Sequence, residues 1–266
     1  MMPPRFELVV ARYDEDLAWL KRAPKEFQVT VYDKGDGSSG GFALGNEGRE
    51  AHTYLHHLTE RYDSLAETTV FVQGRPFDHA PDLHKRLRAL VDGHENVPDF
   101  HWLGFLADTD DARGRRLFVP WSKNPERNEL PLDDFHQQIF GTAGPDNYRF
   151  FVGAQFMVTR ATVLRRDRAF YQRARELSLS SPLAPHCFER CWDRVFAANG
   201  TAGRLPPDQL TAYFKPVKRL QIPPGRGGWP LRAVGLYEQE AGRPHAITLV
   251  PDSLPLLSSC PARKPR

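Results

Sequence analysis

Apolar positions recur along this chain with two periods, and the periods take turns. Phe6-Glu7-Leu8-Val9-Val10-Ala11 is a short apolar run rich in β-formers and predicts a buried strand. Asp14 then offers an N-cap, with Glu15 and Asp16 in the first turn of a helix that runs to Ala23 and stops at Pro24. Residues 28–32 alternate polar and apolar and predict a second strand, followed by a mobile loop from Gly35 to Gly41. From Glu47 to Tyr62 the period lengthens, because Ala51, Leu55, Leu58 and Tyr62 recur at helical spacing. Thr68 to Val72, bounded by Gly74 and Pro76, predicts a third strand, and Leu83 to Val91 a helix.

Residues 100–106 and 116–119 are weaker strand candidates, and 132–140 reads as a helix. Phe150 to Val158 predicts one strong strand with Gly153 inside it. Thr159 is placed to cap a helix reaching Leu177, and Pro185 stands near the first turn of another that ends at Ala198. Strands alternating with helices imply an α/β domain over residues 1–200, a mostly parallel sheet flanked by helices. Beyond Ala198 proline and glycine break the pattern. Residues 201–266 read as a Pro/Gly-rich extension packing on the same domain, with short strands at 231–236 and 246–250.

Composition narrows the class of protein. Hydrophobic residues make up 40% and charged residues 26%, a globular balance rather than a disordered one. No apolar run is long enough to span a membrane. The first residues lead straight into a strand without an apolar leader, so a cytoplasmic protein is expected. Cys187, Cys191 and Cys260 lack zinc-ribbon spacing and read as free thiols. A net charge of +3 is too small to imply nucleic acid, so a small-molecule substrate is the expected partner.

In parallel sheets ligands bind beyond the carboxyl ends of the strands. That rule selects Arg12, Tyr13, Asp14 and Glu15 after the first strand, and Gln73, Gly74, Arg75, Asp78 and His79 after the third. Tyr13 could stack a flat group such as a nucleobase while a carboxylate or the backbone reads its edge; the plainer reading is a helix cap with an acidic first turn. Asp78 beside His79 fits an acid/base pair or a metal site, or else Asp78 caps the helix that begins near Pro81.

The helix that begins near Glu47 carries Arg49, Glu50, His52, Tyr54, His56 and His57. His52 and His56 share a face, as metal ligands or as solvated and core-edge histidines. The Gly45-Asn46-Glu47-Gly48-Arg49 lead-in to the helix N-terminus suits a phosphate or carboxylate. Gln155, polar inside an apolar run, needs partners if buried, and Glu189 is a candidate general base. The phosphate loop, the dinucleotide fingerprint and the nucleophile turn are all missing, which lowers kinase, dehydrogenase and serine-esterase readings.

Several of these blocks stand in an order that resembles domain-of-unknown-function family 3431. They are Val9 to Leu20, Val31 to Gly35, Gly48 to Leu55, Val70 to His79 and Gly153 to Phe156, within residues 6–198. That family is in turn distantly similar to GT-A glycosyltransferases, folds of the nucleotide-diphospho-sugar transferase type. The resemblance implies that the first strand and its loop hold the nucleotide of a nucleotide-sugar. It also implies a middle strand ending in a metal-binding Asp-x-Asp, and a later strand and helix holding acceptor and a catalytic carboxylate. Here Gln73-Gly74-Arg75 stands where the acidic motif is expected, and Asp108-Thr109-Asp110 follows a weaker strand.

The resemblance therefore implies sugar transfer to a small acceptor with no obligatory metal. Tyr13 stacks the base, Arg49 and Arg75 hold phosphates, and Gln155 helps place sugar or acceptor. Arg12, Asp14, Glu50, Tyr54 and Gln73 complete the binding surface, and Asp78, His79 or Glu189 moves the proton. Two other readings fit the same residues: a hydrolase or tailoring enzyme built on Asp78 and His79, with or without a metal, and a non-catalytic ligand-binding module.

Overall fold

The structure, a computed structural model, describes residues 3–94, 99–115, 128–202 and 210–212, and the backbone of 213, 231–234 and 248–251. Strand β1 (Phe6–Arg12) is buried at all seven positions. A strand covered on both faces needs consecutive apolar residues, which explains the run Leu8-Val9-Val10. On one face Phe6, Leu8 and Val10 pack with Val70 and Val72 against Leu83, Leu87 and Leu90. On the other, Val9, Ala11 and Phe71 pack against Ala51, Tyr54, Leu55 and Leu58. Each such aliphatic side chain contributes about 1.5–3 kcal/mol by leaving water.

Strand β1 lies between β2 (Phe27–Asp33) and a longer-range neighbour. Strand β3 (Phe42–Ala43) extends beyond β2, and helix α1 (Arg49–Glu60) crosses back to β4 (Thr68–Gln73) on the far side of β1. These four strands are parallel. Helix α2 (Leu83–Val91) leads to β5 (Phe100–Trp102), then β6 (Leu106–Asp111), α3 (Leu132–Phe140), β7 (Asn147–Phe151) and β8 (Phe156–Thr159). The main sheet runs β3-β2-β1-β4-β8-β5, with β8 antiparallel to both neighbours.

Helices α4 (Arg160–Val163), α5 (Arg168–Leu177) and α6 (Ala184–Val195) follow, and α5 and α6 pack on α1. Strand β9 (Ala212–Tyr213) joins β6 and β7 in a second, antiparallel sheet. Strands β10 (Leu231–Val234) and β11 (Thr248–Pro251) pair with each other. Among the described residues no helix is long and apolar enough to cross a membrane.

Three expectations change. The helix predicted after Asp14 is only a 3-10 turn at Ala18–Arg22 without a side-chain cap, because Asp16 instead accepts from Ala18 N at 2.8 Å. The strand predicted across 150–158 is two strands in different sheets. Gly153 (φ 104°) and Ala154 (φ 50°) occupy left-handed backbone between them, which no strand can contain. The helix from Thr159 to Leu177 is likewise two. Thr159 caps α4 as expected, and Asp167 caps α5 by accepting from Phe170 N at 2.7 Å. The candidate strand at 116–119 and Cys260 lie outside the described residues, while Cys187 and Cys191 are buried free thiols.

Candidate functional site

The connections from β1 lead to β2 and β3 on one side, whereas β4 returns on the other. The sheet thus has its switch point between the carboxyl ends of β1 and β4, where α/β sheets open a crevice. The two strands stay in register to Ala11 opposite Gln73, and Gly74 N then donates to the Ala11 carbonyl at 2.8 Å. Beyond that bond lies a cleft of about 630 Å³. It is lined by Arg12, Tyr13, Glu15 and Lys34 after β1 and β2, by Asn46, Arg49 and Glu50 around the start of α1, and by Gln73, Arg75 and Asp78 after β4.

Arg12 builds one wall. Its guanidinium donates to Asp33 at 2.7 Å, Asp36 at 3.1 Å, the Ser38 hydroxyl at 3.0 Å and the Glu15 carbonyl at 3.1 Å. The loop expected to be mobile is therefore organised: Ser39 and the Gly35 N–H also donate to Asp33. Burial pushes the Asp33 carboxyl up, but the bonds from Ser39 and Gly35 and the Arg12 charge outweigh it and hold it below the usual range. Gly35 passes so close to Tyr13 that a Cβ would stand 1.8 Å from the Tyr13 carbonyl oxygen. With its backbone so held, Tyr13 leaves half its surface in solvent at the lip. Glu15 takes the Tyr13 N–H at 2.8 Å and fills the space a side chain on Gly74 would need.

The floor is the start of α1. Gly48 (φ 60°) and Arg49 (φ 49°) are both left-handed, and no side chain caps the helix. A left-handed non-glycine residue costs roughly 1–2 kcal/mol, a strain that marks such positions as worth a functional explanation. The consequence is a helix terminus whose uncapped first-turn N–H groups begin beside the cleft, with Arg49 60% exposed above them. Lys34 is buried and donates to the Glu47 carbonyl. Burial pulls the Lys34 ammonium down to about 8, although Glu50 and Glu47 act the other way. The Glu50 side chain is 12% exposed; burial, with the nearby Glu189 charge, raises its carboxyl above the usual range.

The structure thus brings Arg12, Tyr13, Gln73, Arg75 and Asp78, which the strand-end rule selected, to one cleft with Arg49 and Glu50 from the start of α1. It places the other named residues elsewhere. Asp14 is exposed in the turn and is not in the lining. Tyr54 is fully buried among Phe71, Phe156 and Trp192, one turn beneath Glu50, so it supports the floor and does not line it. Gln155 is buried and donates to the Pro76 carbonyl at 3.0 Å, which anchors the loop after β4 from behind. Asp78 sits at the rim, 3.4 Å from Arg75, and caps no helix. His79 turns back over Gly153, where a Cβ would meet its ring at 2.3 Å. Glu189 accepts from Gly153 N at 2.8 Å and from Arg190 at 2.9 Å.

Metal chemistry finds little support in these donors. Asp110 of the Asp108-Thr109-Asp110 triplet is buried against Arg190 at 2.9 Å, and Asp108 accepts from Thr211 at 3.0 Å. The His52 and His56 rings are 6.2 Å apart, and burial lowers both, His52 to about 4. Among the described residues no three metal-ligating side chains converge. The sequence reading missed Lys34 as a cleft residue. Lys34 directly follows β2, so applying the strand-end rule to the second strand would have found it.

No curated protein and no solved structure matches this chain. The family model described as a protein of unknown function, DUF3431, matches residues 8–209, and the chain belongs to that family.

Proposed function

We propose that this protein is a glycosyltransferase-like enzyme that moves a sugar from a nucleotide-sugar to the hydroxyl of a small-molecule acceptor. The reading rests on one observation: an exposed ring, a helix start with no side-chain cap and a carboxylate only 12% exposed share the crevice at the sheet's switch point. Tyr13 stacks the base at the lip. Arg49, Lys34 and the α1 N-terminus hold the diphosphate, with Arg75 at the rim. The similarity to GT-A enzymes belongs to this proposal.

In the reaction the bond from the anomeric carbon to the diphosphate oxygen breaks, and a bond to the acceptor oxygen forms. The acceptor proton passes to Glu50, and the electron pair leaves with the diphosphate, whose growing charge meets Arg49 and Lys34. Glu50 takes this role in preference to Asp78 or Glu189. Glu50, 3.7 Å from Arg49, lies inside the cleft, whereas Asp78 sits at the rim with Arg75 and Glu189 lies outside the lining, bonded to Gly153 and Arg190. The cleft's carboxylates do not make a ready divalent-metal set, because Glu15 accepts from Tyr13 N and Asp78 pairs with Arg75. No step is assigned to one.

Titrating the protein with nucleoside diphosphates and nucleotide-sugars, read by calorimetry, tests the proposal. Saturable binding that weakens in Arg49→Ala and persists in Glu50→Gln, with transfer lost in Glu50→Gln, is the expected pattern. Failure of every nucleotide to bind would sink the proposal.

A further inference from the structure

A second hollow, of about 320 Å³, shares no lining residue with the cleft. It lies where the end of α3 meets the loop before α5 and the end of α6, and it is lined by His136, Phe140, Thr142, Arg166 and Arg194 together with Ala197 and Ala198. The two arginines come from separate elements and are each fixed by rings. Arg166 lies 4.7 Å over Phe170 and 5.9 Å from Phe140, and Arg194 lies 5.8 Å over Tyr148. Among the described residues neither has an acidic partner within ion-pair distance, and the buried Arg166 Nε has no hydrogen-bond partner. His136 is held by its Nδ1 against the Thr142 carbonyl at 2.8 Å, leaving Nε2 as its remaining polar atom.

Helix ends explain part of this charge. Arg194 is in the last turn of α6, and α3 ends beside the hollow, where cations are favoured. Each terminus carries about half a negative charge, so two termini offset about one of the two guanidinium charges and leave the other. The acidic side chains next to the two arginines in sequence bond to backbone: Asp193 accepts from Arg194 N at 2.9 Å and Gly200 N at 3.1 Å, and Asp167 accepts from Phe170 N at 2.7 Å. Two ring-stacked guanidiniums lining one hollow, one of them with an unpartnered Nε–H among the described residues, suit an oxyanion that accepts several N–H donors.

We propose that this hollow binds a phosphate group, either inorganic phosphate or the phosphoryl end of a small metabolite, between Arg166, Arg194 and His136. The full chain titrated with inorganic phosphate tests it, read through the His136 imidazole NMR resonances assigned with His136→Gln. A saturable shift is expected, with affinity weakened roughly tenfold or more in Arg166→Met/Arg194→Met. Arg194→Lys, which keeps the charge and loses the fork, weakens binding less and guards against a misfolded double variant. Arg49→Ala leaves the shift unchanged, which separates this site from the cleft. Resonances that stay still, that move equally in the double variant, or that move equally with chloride at matched ionic strength would overturn the proposal. A metabolite source is distinguished from free phosphate by tighter binding of a sugar phosphate than of phosphate itself.

Discussion

Arg12 and Asp33 form a buried ion pair across two adjacent parallel strands, Nη1 to Oδ2 at 2.7 Å, with side chains 8% and 0% exposed. The pair joins the last residue of β1 to the last residue of β2, so it fixes both strand ends that shape the cleft. Removing one partner leaves the other buried without this counter-charge; Ser39 and Gly35 still donate to Asp33, so the loss should not exceed about 3–5 kcal/mol, the cost of a broken buried pair. Arg12→Met should lower the urea-unfolding midpoint accordingly, and adding Asp33→Asn should recover part of the loss. A single substitution that leaves the midpoint unmoved would mean that the pair does not hold the strand ends.

Tyr13 next to it behaves oppositely. Its side chain packs little, so Tyr13→Ala should leave the unfolding midpoint within a few tenths of a kcal/mol, as surface changes do. If the ring stacks a base, the same change should weaken nucleotide binding by about 1–3 kcal/mol. Tyr13→Trp should retain it. Calorimetry on the three proteins decides, and equal affinities would remove Tyr13 from the site.

The crevice was legible because its logic is topological. An apolar strand followed by Arg12-Tyr13, and another followed by Gln73-Gly74-Arg75, announce two strand ends, and a parallel sheet brings such ends to one edge. Roles within the site were harder to read. Tyr54 and Gln155 carry polar groups that suggest contact with a ligand, yet the Tyr54 ring is buried against Phe71 and Trp192 and the Gln155 amide N–H donates to the Pro76 carbonyl, so neither lines the cleft. The sequence names Glu50 for the binding surface and not as a base; its 12% exposure, with the Lys34 and Glu189 charges nearby, is visible only in the fold. The break at Gly153-Ala154 was hidden because Phe150-Phe151-Val152 and Phe156-Met157-Val158 are both strand-like, and periodicity does not register a backbone that turns between them.

That break has its own test. Gly153 combines φ 104° with the His79 ring 2.3 Å from where a Cβ would stand, and its N–H donates to Glu189. Gly153→Ala therefore meets strain and a clash together, with an expected loss of about 2–4 kcal/mol. Gly37 is also left-handed, but open space surrounds it, so Gly37→Ala should cost only about 1 kcal/mol. Comparable losses in the two variants would show that His79 gives way easily.

Lys34 supplies a pH signature for the cleft. Burial, outweighing the attraction of Glu50 and Glu47, brings its ammonium down from the ordinary lysine range to about 8. Below that pH the charge is present; above it the neutral amine predominates. A diphosphate that relies on Lys34 should thus bind best below pH 8 and lose affinity as pH rises through it, by up to about tenfold per unit. The ligand does not mask the effect, because a phosphate monoester completes its second ionisation near pH 6. Lys34→Arg keeps a cation that does not titrate in this range, so its affinity should stay level where the wild type falls. Lys34→Met should bind weakly at every pH. Parallel pH curves for wild type and Lys34→Arg would assign the titration to another group and separate Lys34 from the phosphate.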